Sequence, residues 1–438
     1  MNMHKEQTKK QSQRFLRQVA RRAATELRDI REDQRTPVGL EYFLDVLERV
    51  FVDNQLPRSL QDHNRPLVGA YCIMAPEELI YAAGAAPIRL CGGCFESAQL
   101  GEDFVPRDGC PVVKSSLGFA MQNDFRVFDE CQVLVMPTTC DGKRKLGEEL
   151  SRFKEGWMME VPHIKDPEYG RRLWQEQVYA LKKKLEKLGA NNGGKSKITA
   201  GGLSKAKNII ARAQFEARRF LALRQSPNPV IGGLPAILVM NAYAYDHAAS
   251  WTHALSQLNN ELESKSLNHE TVCPEQTPRV MLAGSPVIFP TLKIPALIEQ
   301  MGGVVVCDES CMGDRYIYDP VGLADNTLRE QMTGIASRYL MPCTCPSFTP
   351  NDERLTKLAQ MADGYQVDGI IHHVLKGCII YDFEIHRVER VMKEKGIPLL
   401  RVETDYNPED LEQLRTRIEA FLEMLKEKKA QTNKEHYL

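Results

Sequence analysis

Gly369-Ile-Ile-His-His-Val-Leu-Lys-Gly-Cys378, then a helical stretch from Glu384 to Lys395, then Pro398-Leu-Leu-Arg-Val402, sets the rhythm of the chain. Two apolar runs of strand length separated by an amphipathic helix form a β-α-β unit, whose strands run parallel. The same alternation extends upstream. Arg279 to Ser285 reads as a strand, Leu292 to Met301 as a helix, Gly303 to Val306 as a strand and Leu355 to Met361 as a helix. A long last helix runs from Pro408 to about Lys428.

A second segment with this rhythm lies between Leu67 and Pro162. Val68-Gly-Ala-Tyr-Cys-Ile-Met74 reads as a strand, Pro76 to Gly84 as a short helix, and Pro87 to Leu90 and Val133 to Met136 as further strands. The fold class is therefore α/β, with two doubly wound parallel sheets of Rossmann or flavodoxin type. From about Arg171 to Gln225 the pattern is helical and charged, and Asn191-Asn-Gly-Gly-Lys-Ser-Lys197 reads as an exposed loop. Residues 5–31 read as a basic amphipathic helix with Phe15, Val19, Leu27 and Ile30 on one face, followed by a helix from Gly39 to Val52. Glu6, Glu26 and Asp29 argue against a mitochondrial presequence, so this helix is expected to dock on the body or on a second subunit. The expected division is a helical extension over 1–60, a first α/β domain with a helical insert over 61–230, and a second α/β domain over 231–438.

A net charge of -1 over 438 residues argues against a nucleic-acid or anionic-membrane surface. No signal sequence is apparent, and no apolar run approaches the roughly 20 residues of a membrane span. A reducing, cytoplasmic compartment is expected, where the twelve cysteines are metal-binding or catalytic rather than cross-linked.

Most of those cysteines follow an apolar run. Cys91 and Cys94 follow the strand ending at Leu90, and Cys140 follows the one ending near Met136. Cys307 and Cys311 follow Val306, and Cys378 follows the run that begins at Gly369. Ligands of open α/β sheets bind outside the carboxyl ends of the strands, so these thiols point to one shared site, and an iron–sulfur cluster is its natural occupant. The short spacings of Cys91-Gly-Gly-Cys94 and Cys343-Thr-Cys345 place two sulfurs within reach of one centre. Structural zinc on those two pairs is one alternative and a thioredoxin-like pair at Cys91 and Cys94 another, but neither uses the single cysteines at other strand ends. Neither ferredoxin spacing occurs. Cys72, inside an apolar strand, and Cys131 read as core; Cys273 reads as incidental; at most one of Cys307 and Cys311 need be a ligand. His372 and His373 would face opposite sides of a strand, one buried and satisfied and one near the site. No Walker motif, no G-x-G-x-x-G after a strand and no H-E-x-x-H is present.

Several stretches together resemble the 2-hydroxyacyl-CoA dehydratase/benzoyl-CoA reductase superfamily: Tyr71-Cys-Ile-Met-Ala-Pro-Glu-Glu-Leu-Ile-Tyr-Ala-Ala-Gly-Ala-Ala-Pro87, Cys110-Pro-Val-Val-Lys-Ser-Ser-Leu-Gly118, Thr139-Cys-Asp-Gly-Lys-Arg-Lys145, Glu309-Ser-Cys-Met-Gly313, Cys343-Thr-Cys-Pro-Ser-Phe-Thr-Pro-Asn-Asp-Glu-Arg354, Tyr365-Gln-Val-Asp-Gly-Ile-Ile371 leading to Cys378, and Val402-Glu-Thr-Asp-Tyr406. The resemblance covers Leu67 to the C-terminus. It implies two α/β domains clasping a cluster in a central cleft, a dimer of such subunits, and a separate ATP-hydrolysing iron–sulfur activator that supplies low-potential electrons. Matched residue by residue, it implies Cys110, Cys140 and Cys378 as the three ligands of a [4Fe-4S] cluster. The surplus of thiols looks like the double-cubane cluster proteins of the same superfamily, which hold an [8Fe-9S] cluster on six cysteines. Three of Cys91, Cys94, Cys311, Cys343 and Cys345 would then complete the set.

The function so implied is an ATP-dependent (through its partner) iron–sulfur reductase component acting on a small molecule, as a homodimer. The alternatives are a 2-hydroxyacyl-CoA dehydratase subunit with one [4Fe-4S] cluster and ketyl-radical chemistry, and a non-catalytic iron–sulfur electron carrier. Lys114, Ser115 and Ser116, just after Cys110, are candidates to donate hydrogen bonds to cluster sulfides, with capping of a following helix as the other role open to the serines.

Overall fold

A computed structural model describes residues 2–62, 65–122, 124–191, 197–317 and 319–436. It contains two four-stranded, all-parallel sheets. The first comprises β1 (Leu67–Ala70), β2 (Ala86–Arg89), β3 (Cys131–Pro137) and β4 (Gly156–Met159), in the order β2-β1-β3-β4. The second comprises β5 (Arg279–Gly284), β6 (Val304–Asp308), β7 (Gly369–Leu375) and β8 (Leu399–Thr404), in the order β6-β5-β7-β8. Both are the flavodoxin-type order with one strand fewer, and both reverse direction of winding between their first and third strands.

Helices on both faces explain the continuous apolar runs. Every residue of β1, β2, β5, β6 and β7 is buried, as parallel strands covered on two sides require. The edge strand β4 alternates between buried and outward positions over only four residues, too short a signal to be read from sequence. β1 also stops earlier than its apolar run suggests. Pairing ends at Ala70, and Tyr71 to Ala75 form a turn in which the Ala75 amide donates to the Cys72 carbonyl.

The helix Asn2–Glu32 lies on the body, with Phe15, Val19, Ala23, Leu27 and Ile30 buried in the main core. It packs on the helices Glu41–Phe51 and Phe95–Gly101. Two helices that periodicity does not announce, Gly233–Tyr243 and Ala248–Leu267, build a central layer. The first is apolar almost all round and is buried accordingly. Elements of the two halves interleave: Trp174, on the helix Gly170–Asn191, donates its indole N–H to the Ala336 carbonyl at 3.0 Å, on the helix Leu328–Leu340. The loop expected at 191–197 falls largely on residues 192–196, outside the described residues. No helix among the described residues is long and apolar enough to cross a membrane.

Candidate functional site: a thiol cluster between two sheets

The switch points, between β1 and β3 and between β5 and β7, are where ligands of such sheets bind. Cys72 follows β1, Cys140 follows β3, and Cys378 follows β7. Cys91 and Cys94 follow the neighbouring β2, and Cys311 follows β6. Cys110 opens the helix Pro111–Met121, and Cys343 and Cys345 lie in the loop between the helices Leu328–Leu340 and Asp352–Gly364. No disulfide forms among them.

Four of these cysteines share one local construction. Cys94, Cys110, Cys140 and Cys378 are the N-cap residues of the helices Phe95–Gly101, Pro111–Met121, Asp141–Leu150 and Ile379–Glu394. The unpaired N–H groups of a first turn and the helix dipole favour a thiolate there. The Cys140 sulfur accepts from the Lys143 amide at 3.4 Å. Cys110 and Cys378 approach each other across the two halves, and that contact lowers the pKa of Cys110 to about 7 against its burial and raises that of Cys378 well above the usual thiol value. The approach is possible because Gly377 adopts φ +75 and a Cβ there would sit 2.0 Å from the Asp108 carbonyl oxygen.

Two buried cations, Arg89 and Arg315, and the half-buried Lys143 lie among the thiols. Lys143 sits in the first turn of the helix that Cys140 caps, and its ammonium donates to the Tyr71 carbonyl. Burial works against its charge, but Cys72, Cys91, Cys311 and Cys140 outweigh that cost and raise its pKa. Arg89 lies 3.5 Å from the Tyr316 ring centroid and donates to the Cys311 carbonyl at 3.2 Å. Arg315 donates to the Thr344 carbonyl at 2.9 Å and to the Tyr381 hydroxyl at 2.6 Å. The effect on Cys72 is direct. Burial alone would raise its pKa, but Lys143, the Met74 amide, Arg89 and the Thr139 hydroxyl together lower it. Burial dominates at Cys311, raised to about 11, and at Cys343, raised to about 12.

Of the cysteines expected at the site, Cys91, Cys110, Cys140, Cys311, Cys343, Cys345 and Cys378 gather here. Each acts electrostatically on another of the group or on Lys143. Cys94 turns away: it is fully buried and its Sγ donates to Glu96 at 3.0 Å, which is itself paired with Arg22 of the N-terminal helix. Cys72 is buried in the main core, as its reading as core expects, and it also lies near the group, two residues past the end of β1, where Lys143 and Arg89 act on it. Cys131, whose thiol donates to the Val127 carbonyl, and Cys307, within β6, are buried among apolar residues, and Cys273 is remote from the group.

Lys114, Ser115 and Ser116 hold neighbouring backbone and side chains. The serines lie within the helix that Cys110 caps, so they are not caps. Their hydroxyls accept from the Cys94 and Gly92 amides at 3.0 and 2.9 Å, holding the Cys91–Cys94 loop from behind. Lys114 is paired with Glu102 at 3.1 Å and with the Arg107 carbonyl. His372 and His373 are both buried, and no ring nitrogen of either has a hydrogen-bond partner, so neither is the satisfied histidine expected.

A cleft of about 840 Å³ opens beside Cys110 and Cys378, between the Gln99–Lys114 segment and the loops at Lys376 and Glu403–Glu409. A second cavity, of about 760 Å³ between the helices Ala200–Gln225 and Ala248–Leu267, lies away from the cysteines. Among the described residues no three His, Cys, Asp or Glu side chains close to the spacing of a single metal ion.

Residues 72–425 match the family described as 2-hydroxyglutaryl-CoA dehydratase, D-component. The chain belongs to that family. Within it, the chain is 32% identical over 373 residues to YjiM of Escherichia coli (strain K12), named as a dehydratase subunit, covering 84% of this chain and 93% of the relative. It is 23% identical over 386 residues to the (R)-phenyllactyl-CoA dehydratase beta subunit of Clostridium sporogenes, covering 87% and 97%. It is 20% identical over 373 residues to the (R)-2-hydroxyglutaryl-CoA dehydratase subunit beta of Acidaminococcus fermentans, covering 82% and 92%. The D-component match begins at Cys72 and contains every cysteine of the site.

Proposed function

We propose that this D-component-type subunit is an iron–sulfur reductase component with a double-cubane cluster, acting on a small molecule with electrons from a separate ATP-hydrolysing iron–sulfur activator. We place it in the cytoplasm, as a homodimer. The observation that carries the reading is the number and distribution of thiols: eight, from Cys72, Cys91, Cys110, Cys140, Cys311, Cys343, Cys345 and Cys378, four from each half, with Lys143, Arg89 and Arg315 among them. A purely sulfur donor set suits iron and sulfide, and buried cations offset the charge that several thiolates accumulate. We assign the six ligands to Cys72, Cys110 and Cys140 from the first half and Cys311, Cys345 and Cys378 from the second. Five of these keep part of their surface open, and Cys72 loses its proton more readily than an ordinary thiol.

When bound, such a cluster supplies one-electron reduction at low potential. The protein's own groups do the rest. Helix N-termini and Lys143 favour the thiolate forms, and Arg89 and Arg315 balance charge. The adjoining cleft supports a small substrate. Along it Glu102, Asp108, Glu403, Asp405 and Glu409 face Arg107, Lys114 and Lys376, five acids against three bases, a poor surface for a polyanionic CoA thioester.

The second reading is a 2-hydroxyacyl-CoA dehydratase subunit with one [4Fe-4S] cluster on Cys110, Cys140 and Cys378, favoured by the printed names of the relatives. Iron and acid-labile sulfide measured on anaerobically purified protein separate the two. About eight irons per chain is the expected result, and about four would transfer the assignment to the dehydratase reading.

A further inference from the structure

We propose that a buried ion network made of Arg354, Glu309, Glu384, Arg315 and Asn351 is a positioning device, which holds the three cysteine-bearing segments of the second half in ligating order before metal arrives. The inference rests on the ligand assignment above. Arg354 is 0% exposed, and its guanidinium contacts Glu309 at 2.9 Å and Glu384 at 2.8 Å. Neither contact is aligned as a hydrogen bond, so both are ion pairs. Arg315 adds a longer contact to Glu309 at 3.7 Å. Asn351 donates through Nδ2 to the Cys345 carbonyl at 3.1 Å and to Glu384 at 3.0 Å.

What these groups have in common is where they attach. Glu309 lies two residues before Cys311. Thr344, whose carbonyl Arg315 holds, separates Cys343 from Cys345. Tyr381 and Glu384 lie in the first two turns of the helix that Cys378 caps. Asn351 grips the carbonyl of Cys345 itself. One set of contacts thus ties three separate stretches of chain, each close to a thiol.

Stability alone does not account for such a set. Four charged side chains leave water here, and replacing a buried ion group by apolar residues of similar volume is often neutral or stabilising. What Arg315 and Asn351 supply, and an apolar cluster does not, is directed hydrogen bonds to the Thr344 and Cys345 carbonyls and the Tyr381 hydroxyl, while the Arg354 ion pairs fix which acids lie together.

The test uses the full chain in three forms: wild type, the apolar triple variant Asn351→Leu/Arg354→Met/Glu384→Leu, which removes one cation and one anion and leaves Arg315 paired with Glu309, and the single variant Asn351→Leu. Thermal unfolding of the metal-free proteins, iron bound after anaerobic reconstitution, the EPR spectrum of the product, and amide exchange over 309–312 and 343–348 are recorded. The expected result is a triple variant that unfolds cooperatively at or above the wild-type temperature. It nevertheless binds at most half the iron, gives an altered EPR spectrum, and exchanges those amides about tenfold faster or more. Asn351→Leu should reproduce the faster exchange over 343–348 alone. A triple variant with wild-type exchange rates overturns the proposal. If wild-type protein binds no iron, the ligand assignment fails, and the exchange comparison still decides whether the network orders these loops. If the triple variant fails to fold, Asn351→Leu, which removes no charge, carries the decision on the same readings.

Discussion

Lys143 is the residue on which the electrostatics of the site turn. Its ammonium stabilises thiolates from both halves, and it would equally stabilise an electron added to a nearby cluster. Lys143→Met should therefore lower the midpoint potential of the bound cluster by on the order of 100 mV, read from an EPR-monitored redox titration, because a unit charge about 5 Å away at an effective dielectric near 20 is worth a few kcal/mol. An unchanged potential would remove Lys143 from this role. Cys72→Ser should cost iron as Cys140→Ser does, whereas Cys131→Ser and Cys307→Ser should leave iron per chain unchanged. At the two adjacent histidines, burial is the main cause that holds His372 at about 3 and His373 at about 4, below the ordinary histidine value of about 6.5. The unfolded chain then takes up protons that the folded chain refuses, so stability is present above about pH 6.5 and is lost as pH falls towards 4. A His372→Leu variant should lose less stability between pH 7 and pH 5 than the wild type, as measured by urea unfolding at both values.

At the scale of elements, the recurring device is a strand, a short loop, and a cysteine at or near the start of a helix. This was legible where strand and loop carry clear signals, as in β7 and the helix Ile379–Glu394. The turn after β1 was not legible, because Tyr71-Cys-Ile-Met continues the apolar run of β1 without glycine, proline or charge, although the chain has already turned. Lys143 was hidden for another reason. Asp141-Gly-Lys-Arg-Lys reads as a solvated helix start, and only the backward lean of helical side chains shows that a lysine three residues past the N-cap points at the thiols. The helices Gly233–Tyr243 and Ala248–Leu267 lack a clean polar face because they are enclosed, so periodicity had nothing to register. The Gly92-Gly93 pair illustrates how tightly these loops pass. A Cβ on Gly92 would lie 2.4 Å from the Ser115 hydroxyl and 2.6 Å from the Ser115 carbonyl carbon, and one on Gly93 would lie 2.2 Å from the Ile288 carbonyl oxygen. Gly93→Ala should therefore cost about 1–3 kcal/mol of folding stability by urea unfolding, since backbone must move to admit the methyl.

For the whole molecule, the N-terminal helix is part of the body. Leu27 is 0% exposed within the main core, and Arg22 reaches Glu96, the partner of Cys94. Leu27→Ala should destabilise the protein by about 2–5 kcal/mol. Deletion of residues 1–35 should expose the faces of the helices Glu41–Phe51 and Phe95–Gly101 and produce aggregation on size-exclusion chromatography; a monodisperse, fully stable truncation would contradict this packing.

The even sharing of thiols between the two sheets also has a consequence in time. The ribosome completes the first four, Cys72 to Cys140, well before it makes Cys311, and Cys378 follows Cys140 by 238 residues (378 minus 140). At about 5–20 residues per second, the first half waits roughly 12–48 s for its counterparts. During that interval its sulfurs have no opposing face, and Cys91-Gly-Gly-Cys94 has the spacing that zinc accepts. Oxygen and free zinc would therefore do the greatest harm to the nascent chain, and the yield of iron-loaded protein should depend more on conditions during synthesis than on those during purification.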